Sequence, residues 1–270
     1  MHLYFNWNLD IAIFIAYLLT NLLVGLYYSR GTKNIKEYAV GRKNFSTGLI
    51  VSTVVSTFVS GSGFFITLSK TYSEGLLYFI SSLGMALSFV IIAFVFIPRM
   101  DEFFGTTSIA EAMGNFYSKS VRIIIAVAGT IGTAGSIAVQ FKAFSMVFNY
   151  FLGIPPTVAL FIAAGIVIIY SAIGGIRSIA YTDVLQFFTF GVVIPIVGIL
   201  IWNNAYSQGF SLSQAFSNPI FDYKQAFSFS NPKFWQMIPI MLYFAIPHMK
   251  PYEFQEIIIN RNTAQAKKHF

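Results

Sequence analysis

"GGIRSIAYTDVLQFFTF", residues 174–190, sets one carboxylate, Asp183, at the head of an apolar run that continues as "GVVIPIVGILIWN" to residue 203. A carboxylate at the centre of a bilayer costs about 3 kcal/mol on insertion scales. Asp183 therefore either sits at the rim of a membrane or has its burial compensated. Two readings stand. In one, Asp183 pairs with Arg177 in the preceding connector or caps a helix N-terminus, where the helix dipole favours negative charge. In the other it is a cation stop on a path to the cytoplasm, the usual role of an intramembrane carboxylate.

The rest of the chain has a membrane composition. Of its 270 residues 56% are hydrophobic and 10% charged, where a soluble domain carries roughly 25% charged residues. The net charge of +7 lies in short connectors, with no basic stripe or aromatic-interleaved patch, which excludes a nucleic-acid partner. The absence of cysteine excludes thiolate metal sites, disulfides and thiol nucleophiles. The three histidines, His2, His248 and His269, are scattered, so no metal site beyond an alkali ion is expected. Without a Ser/His/Asp set, an HExxH motif or a phosphate-cradling loop, an enzyme with catalytic residues or a cofactor is not expected. The N-terminal "MHLYFNWNLD" lacks a basic region and a cleavage site, so the first apolar span reads as a retained helix.

Seven stretches approach the length that crosses about 30 Å of hydrocarbon: 11–28, 48–68, 76–98, 123–150, 157–173, 184–202 and 234–249. None alternates with period 2, so the fold class is all-α, a polytopic membrane helix bundle forming one transmembrane domain over residues 1–270. Alternate connectors carry the cations. Arg30, Lys33, Lys36, Arg42, Lys43, Arg99, Lys119, Arg122, Arg177, Lys250, Arg261, Lys267 and Lys268 fall on one side; Lys70, Lys224 and Lys233 fall on the other. The positive-inside rule then puts the N-terminus outside and the C-terminus inside a cytoplasmic membrane. Trp202 and Trp235 lie at the outer ends, where indole rings prefer to sit.

Two of these helices read as interrupted. "STFVSGSGFFITL", residues 56–68, places Gly61, Ser62 and Gly63 in mid-membrane among Ser52, Ser56, Thr57 and Ser60. Glycine permits unwinding, and unwound backbone presents carbonyls to a polar ligand; the same small residues at i, i+4 spacing also suit close helix packing. "FWQMIPIMLYFAIPHMKP", residues 234–251, carries Pro239 and Pro247 five spans later, in a helix of opposite direction. Paired interruptions in inverted helices point to a midplane binding site. On the fourth span Lys142 lies about 30 Å beyond Arg122 by helix rise, too far up to pair with Asp183, and Gln140 on the same stretch is a candidate lining residue of a polar cavity.

Taken together, these stretches resemble the sodium:solute symporter family. "YAVGRKNFSTG" at 38–48 looks like the family's lead-in to its first core helix, and "STFVSGSGFF" at 56–65 like the small-residue break within it. "GGIRSIAYTDVLQ" at 174–186 matches the Gly-Gly…Thr-Asp-x-x-Gln signature, and "YFAIPHMKPYEFQ" at 243–255 is similar to the Tyr-Phe…Pro-His segment. The resemblance implies a LeuT-like inverted-repeat fold, here incomplete, and sodium as coupling ion. It assigns sodium to the carbonyls of Ser56 and Val59 and to Thr182 and Asp183, and a small solute (amino acid, sugar, carboxylate or osmolyte) to Ser60, Gly61, Gly63 and Tyr243, beside which Gln140, read from its place on the fourth span, is a further candidate. Two positions depart from the family pattern: Ile246 stands where many members have Gln, and Glu256 where they have Arg. Seven helices also end after the first helix of the second repeat, before a later helix that supplies sodium-binding hydroxyls. The resemblance therefore implies a truncated carrier that lacks coupled transport by itself and whose partner is a missing C-terminal half. The alternative is the transporter-like sensing domain of a histidine kinase, with "RNTAQAKKHF" leading onward to the kinase; a structural membrane subunit also stands.

Overall fold

Side-chain caps open the helices that follow polar connectors. In the computed structural model, which describes residues 9–30 and 34–270, α2 (Ile35–Val40) is capped by Asn34, α3 (Thr47–Phe58) by Ser46, α6 (Ile109–Phe116) by Ser108 and α7 (Lys119–Leu152) by Ser118. Each cap oxygen accepts a backbone N–H that the first helical turn leaves unbonded. Lys33, His2 and the remainder of the N-terminal stretch lie outside the described residues. α1 (Leu9–Ser29) precedes this series. α4 (Gly61–Glu74), α5 (Leu77–Ile91) and α8 (Pro156–Ser207) complete the long elements, followed by α9 (Leu212–Phe216), α10 (Tyr223–Ala226), α11 (Pro232–Ala245), α12 (Pro251–Ile258) and α13 (Thr263–His269). No strand forms among the described residues.

Among the described residues four helices are long and apolar enough to cross a membrane: α1, α5 with its π and 3-10 extension to Arg99, α7 and α8. The pair α3 and α4 makes a fifth crossing if it is taken as one bent span. The fifth and sixth apolar stretches of the sequence share α8, which is 52 residues long and broken at Gly175 (φ 56, ψ −150). The last stretch forms α11, which is 14 residues long.

The chain divides into two compact units. The first holds residues 1–62, 101–187 and 249–269. Here α1 lies on α7, with Phe14 edge-on to Phe148 and stacked on Phe151, both at 5.1 Å between ring centroids. On its other flank α1 meets α8 with little side chain between them. Gly25 faces Tyr170, the Ser178 hydroxyl donates to the Gly25 carbonyl at 2.7 Å, and Tyr28 stacks on Tyr181 at 3.6 Å. Close backbone approach at small residues is how helices associate when lipid is as apolar as leucine. The C-terminal residues are folded into this unit. Ile257, Ile258 and Ile259 are fully buried, Gln255 donates to the Ala39 carbonyl, and Arg261 donates to the Lys43 carbonyl at 2.9 Å. His269 meets Asn260 at 2.6 Å, both buried.

The second unit holds residues 63–100 and 188–248, with Phe270. Its core is Leu77, Ile80 and Ala226, packed against Phe234, Met237, Ile238 and Met241, so that α5 and α11 lie side by side. Gly84 of α5 sits directly on the Met241 carbonyl. In both units the large apolar side chains turn outward, as Ile131, Phe161 and Ile201 do. Such a surface suits hydrocarbon, where only the backbone has to be satisfied internally.

Candidate functional site

The first interruption falls at Val59 and Ser60. α3 ends with the Val59 N–H on the Val55 carbonyl at 2.9 Å, Val59 leaves helical geometry (φ −88, ψ 87), and α4 begins at Gly61, with a bend of 54° across the break. Gly61 and Ser62 thus open the next helix, and the unwound residues are the two before them. The second interruption covers residues 246–250. Pro247 holds Ile246 in extended geometry (φ −75, ψ 118) and terminates α11, whereas Pro239 is accommodated inside that helix. Met249 adopts a positive φ of 47° before α12 restarts at Pro251.

Within the first unit, α3 turns Ser52, Thr53 and Ser56 inward. The Ser56 hydroxyl donates to the backbone carbonyl of Asp183 at 2.9 Å and joins α3 to α8. Thr182, 1% exposed, donates to the Ile179 carbonyl at 2.8 Å, and the Tyr170 hydroxyl lies within hydrogen-bonding reach of Thr182. Asp183 is buried beside Thr53. It stands about 12 Å along the helix from the break at Gly175, beyond the reach of an N-terminal cap. Arg177 instead donates to the Arg30 carbonyl at 3.4 Å, and among the described residues no cation forms an ion pair with Asp183. Ser56→Ala removes the bond between the two helices and is expected to lower the stability of the first unit by about 1 kcal/mol, read by thermal unfolding followed by circular dichroism in detergent.

Of the residues assigned to sodium, Ser56, Val59, Thr182 and Asp183 all belong to this unit, and Ser56, Thr182 and Asp183 are buried together. Of those assigned to solute, Ser60 and Gly61 lie at the break, where the Ser60 and Ser62 hydroxyls are 3.4 Å apart. Gln140 is half-buried on α7, and Gly63 and Tyr243 belong to the second unit, where Tyr243 packs edge-on to His248 at 4.9 Å.

Thr57, of the small-residue run, also reaches this region, as do Thr53, Tyr170 and Glu256, which no pattern singles out for it. Thr53 lies in the same small-residue run as Ser52 and Ser56, where a packing stripe and a polar face look alike. Glu256, 3% exposed on α12, lies within hydrogen-bonding reach of Thr57 and close enough to Asp183 to feel its charge. Burial pushes its carboxyl well above the ordinary carboxylate range, opposed by the Thr57 contact. The donor set is hard oxygen throughout, and Asp183 Oδ2 and Glu256 Oε2 are buried with no hydrogen-bond partner. Such a set fits an alkali cation.

The sequence profile of the Sodium:solute symporter family matches residues 38–245. The sodium/sialic acid symporter NanT of Aliivibrio fischeri is 27% identical over 195 residues, covering 71% of this chain and 37% of its own length. High-affinity choline transporter 1 of Caenorhabditis elegans is 26% identical, covering 66% of this chain and 32% of its own. A sodium/proline symporter of Staphylococcus aureus is 25% identical, covering 73% and 39%. The solved structure of a Na+-coupled sialic acid symporter, substrate-bound and outward-open, superposes with a TM-score of 0.79 at 20% identity, over 96% of this chain and 56% of that one. The chain spans about a third to two fifths of the length of these curated relatives. With the family profile covering most of its residues, and with apolar helices of membrane-crossing length, the chain is an integral membrane protein that belongs to the sodium:solute symporter family.

Proposed function

We propose that the chain supplies the ion-binding part of a carrier that couples sodium entry to the uptake of a small organic solute. The observation that carries this reading is the buried meeting of α3 and α8, where Ser56, Thr182 and Asp183 collect oxygen donors beside a helix opened at Val59. Sodium is held by the Val59 and Ser56 carbonyls and by Asp183, which draws the ion toward the cytoplasmic side. The solute, an amino acid, sugar, carboxylate or osmolyte, contacts the break at Ser60 and Gly61, together with Gln140. The basic connectors face the cytoplasm, with the N-terminus outside. One charge moving inward through about 100 mV releases about 2.3 kcal/mol, close to a ~50-fold gradient of neutral solute. Harvesting it requires ion and solute to bind together and one helix group to rock against the other.

The test is sodium binding by the purified chain. Radiolabelled sodium should bind the wild type, and Asp183→Asn should weaken binding at least tenfold while the helical circular dichroism stays unchanged. A wild-type chain that sodium neither labels nor protects from thermal unfolding at any concentration overturns the reading.

A further inference from the structure

Two carboxylates in the first unit are buried without a counter-ion. Asp183 and Glu256 are 8% and 3% exposed, and each keeps one oxygen, Oδ2 and Oε2, wholly buried with no hydrogen-bond partner. Neither forms an ion pair with any Lys, Arg or His among the described residues. They come from different elements, α8 and α12, and meet at α3. Thr53 reaches Asp183, and Thr57, one turn further along α3, reaches Glu256. Residues at i and i+4 lie one above the other on a helix face, about 6 Å apart, so the two hydroxyls form a short ladder with a carboxylate beside each rung. Packed this way, the two carboxyls cannot both carry charge without repelling each other in a low-dielectric site, and each bare oxygen forgoes its solvation. A cation between them turns the repulsion into two attractions and gives both orphaned oxygens a partner.

We propose that Asp183 and Glu256 together hold one alkali cation, with the hydroxyls of Thr53 and Thr57 completing the donor set. This rests on the sodium-binding reading above and extends it by adding a second charged ligand from a helix beyond the opened pair. Calcium takes 6–8 oxygens, a number this set reaches only if both carboxylates bind through both oxygens, and no cluster of three or more His, Cys, Asp or Glu is present among the described residues. The charge count also separates this arrangement from a site of carbonyls and hydroxyls alone. With two carboxylates, sodium binding depends on Glu256 as strongly as on Asp183.

The experiment measures radiolabelled sodium binding and sodium-dependent thermal protection of the full chain in detergent. The wild type is compared with Glu256→Gln, Thr57→Val and Asp183→Asn. Glu256→Gln should weaken sodium binding at least tenfold and Thr57→Val severalfold. In sodium-free buffer Glu256→Gln should melt at or above the wild-type temperature, because a buried ionisable carboxyl is replaced by a neutral amide, and sodium should no longer raise it. Wild-type sodium affinity in Glu256→Gln, with binding still lost in Asp183→Asn, overturns the inference and leaves the proposed function standing. Displacement of sodium by equimolar calcium, with a larger rise in melting temperature, overturns the alkali assignment. Absence of sodium binding in the wild type overturns both. Should Glu256→Gln fail to fold, unchanged sodium affinity in Thr57→Val overturns the inference by itself.

Discussion

Gly175→Ala should cost the first unit about 4 kcal/mol, a large share of the about 5–15 kcal/mol by which folded domains are stable. Two independent effects add. Gly175 holds φ 56 and ψ −150, a region that is essentially glycine-only and costs other residues about 1–3 kcal/mol. A Cβ placed there would stand 2.4 Å from the Tyr38 carbonyl oxygen and 2.8 Å from the Tyr38 ring. Tyr38 has little freedom to retreat, because its hydroxyl donates to the Ser171 carbonyl at 3.1 Å and its backbone N–H to Asn34. Overpacking against fixed atoms costs about 1–3 kcal/mol more. The measurement is thermal unfolding in detergent, followed by circular dichroism. Gly165→Ala is the matched control, since nothing lies within 4 Å of a Cβ at that position. It should be neutral or stabilise slightly. Equal melting temperatures for the two variants would show that the break in α8 tolerates a side chain.

Gly84→Ala should lower the stability of the second unit by about 2 kcal/mol, against the sign that helix propensity alone predicts. In an unobstructed helix the change from glycine to alanine gains about 1 kcal/mol. At Gly84 the new methyl would meet the Met241 carbonyl oxygen at 2.1 Å and the Phe244 Cβ at 2.9 Å. The obstacle is largely backbone, so relief requires α5 and α11 to part and the cluster of Leu77, Ile80, Met237 and Met241 to loosen. Unfolding followed by tryptophan fluorescence in a Trp7→Phe background reports this unit, because the other two tryptophans, Trp202 and Trp235, both lie in it. A gain in stability would show that the two helices are not in backbone contact.

The extent to which this organisation was legible in the sequence differs from element to element. Apolar length located α1, α7 and α5 with its extension to Arg99 within a few residues of their ends, because long hydrophobic runs are local signals. Pro247 likewise announced an interruption whose cause is steric and local, and α11 does stop one residue before Ile246. The small-residue run at 56–63 announced a break without fixing its place, since several residues there tolerate unwinding and the chain opens at Val59 and Ser60. The pair Gly174 and Gly175 was noticed as a motif. That Gly175 is the corner of a 52-residue helix depends on the Tyr38 carbonyl, which is distant in sequence. Glu256 stood out as a departure from the family pattern, but its burial beside Thr57 is a product of tertiary packing that no local window contains. Ser56 was assigned for its carbonyl, and its hydroxyl turned out to tie α3 to α8.

The C-terminal residues bear on how the protein is made. α12 packs on α2, α3 and α6, and α13 packs on α3, so the first unit is completed by segments translated more than 130 residues after most of the helices they join. Contacts of such long separation form late, after the entropy of closing the intervening chain has been spent. Until Gln255 reaches Ala39 and Arg261 reaches Lys43, the faces of α2 and α3 on which α12 and α13 pack stay uncovered. During synthesis those faces must be shielded by the insertion machinery or by lipid, and a nascent chain stalled before residue 251 would expose them together.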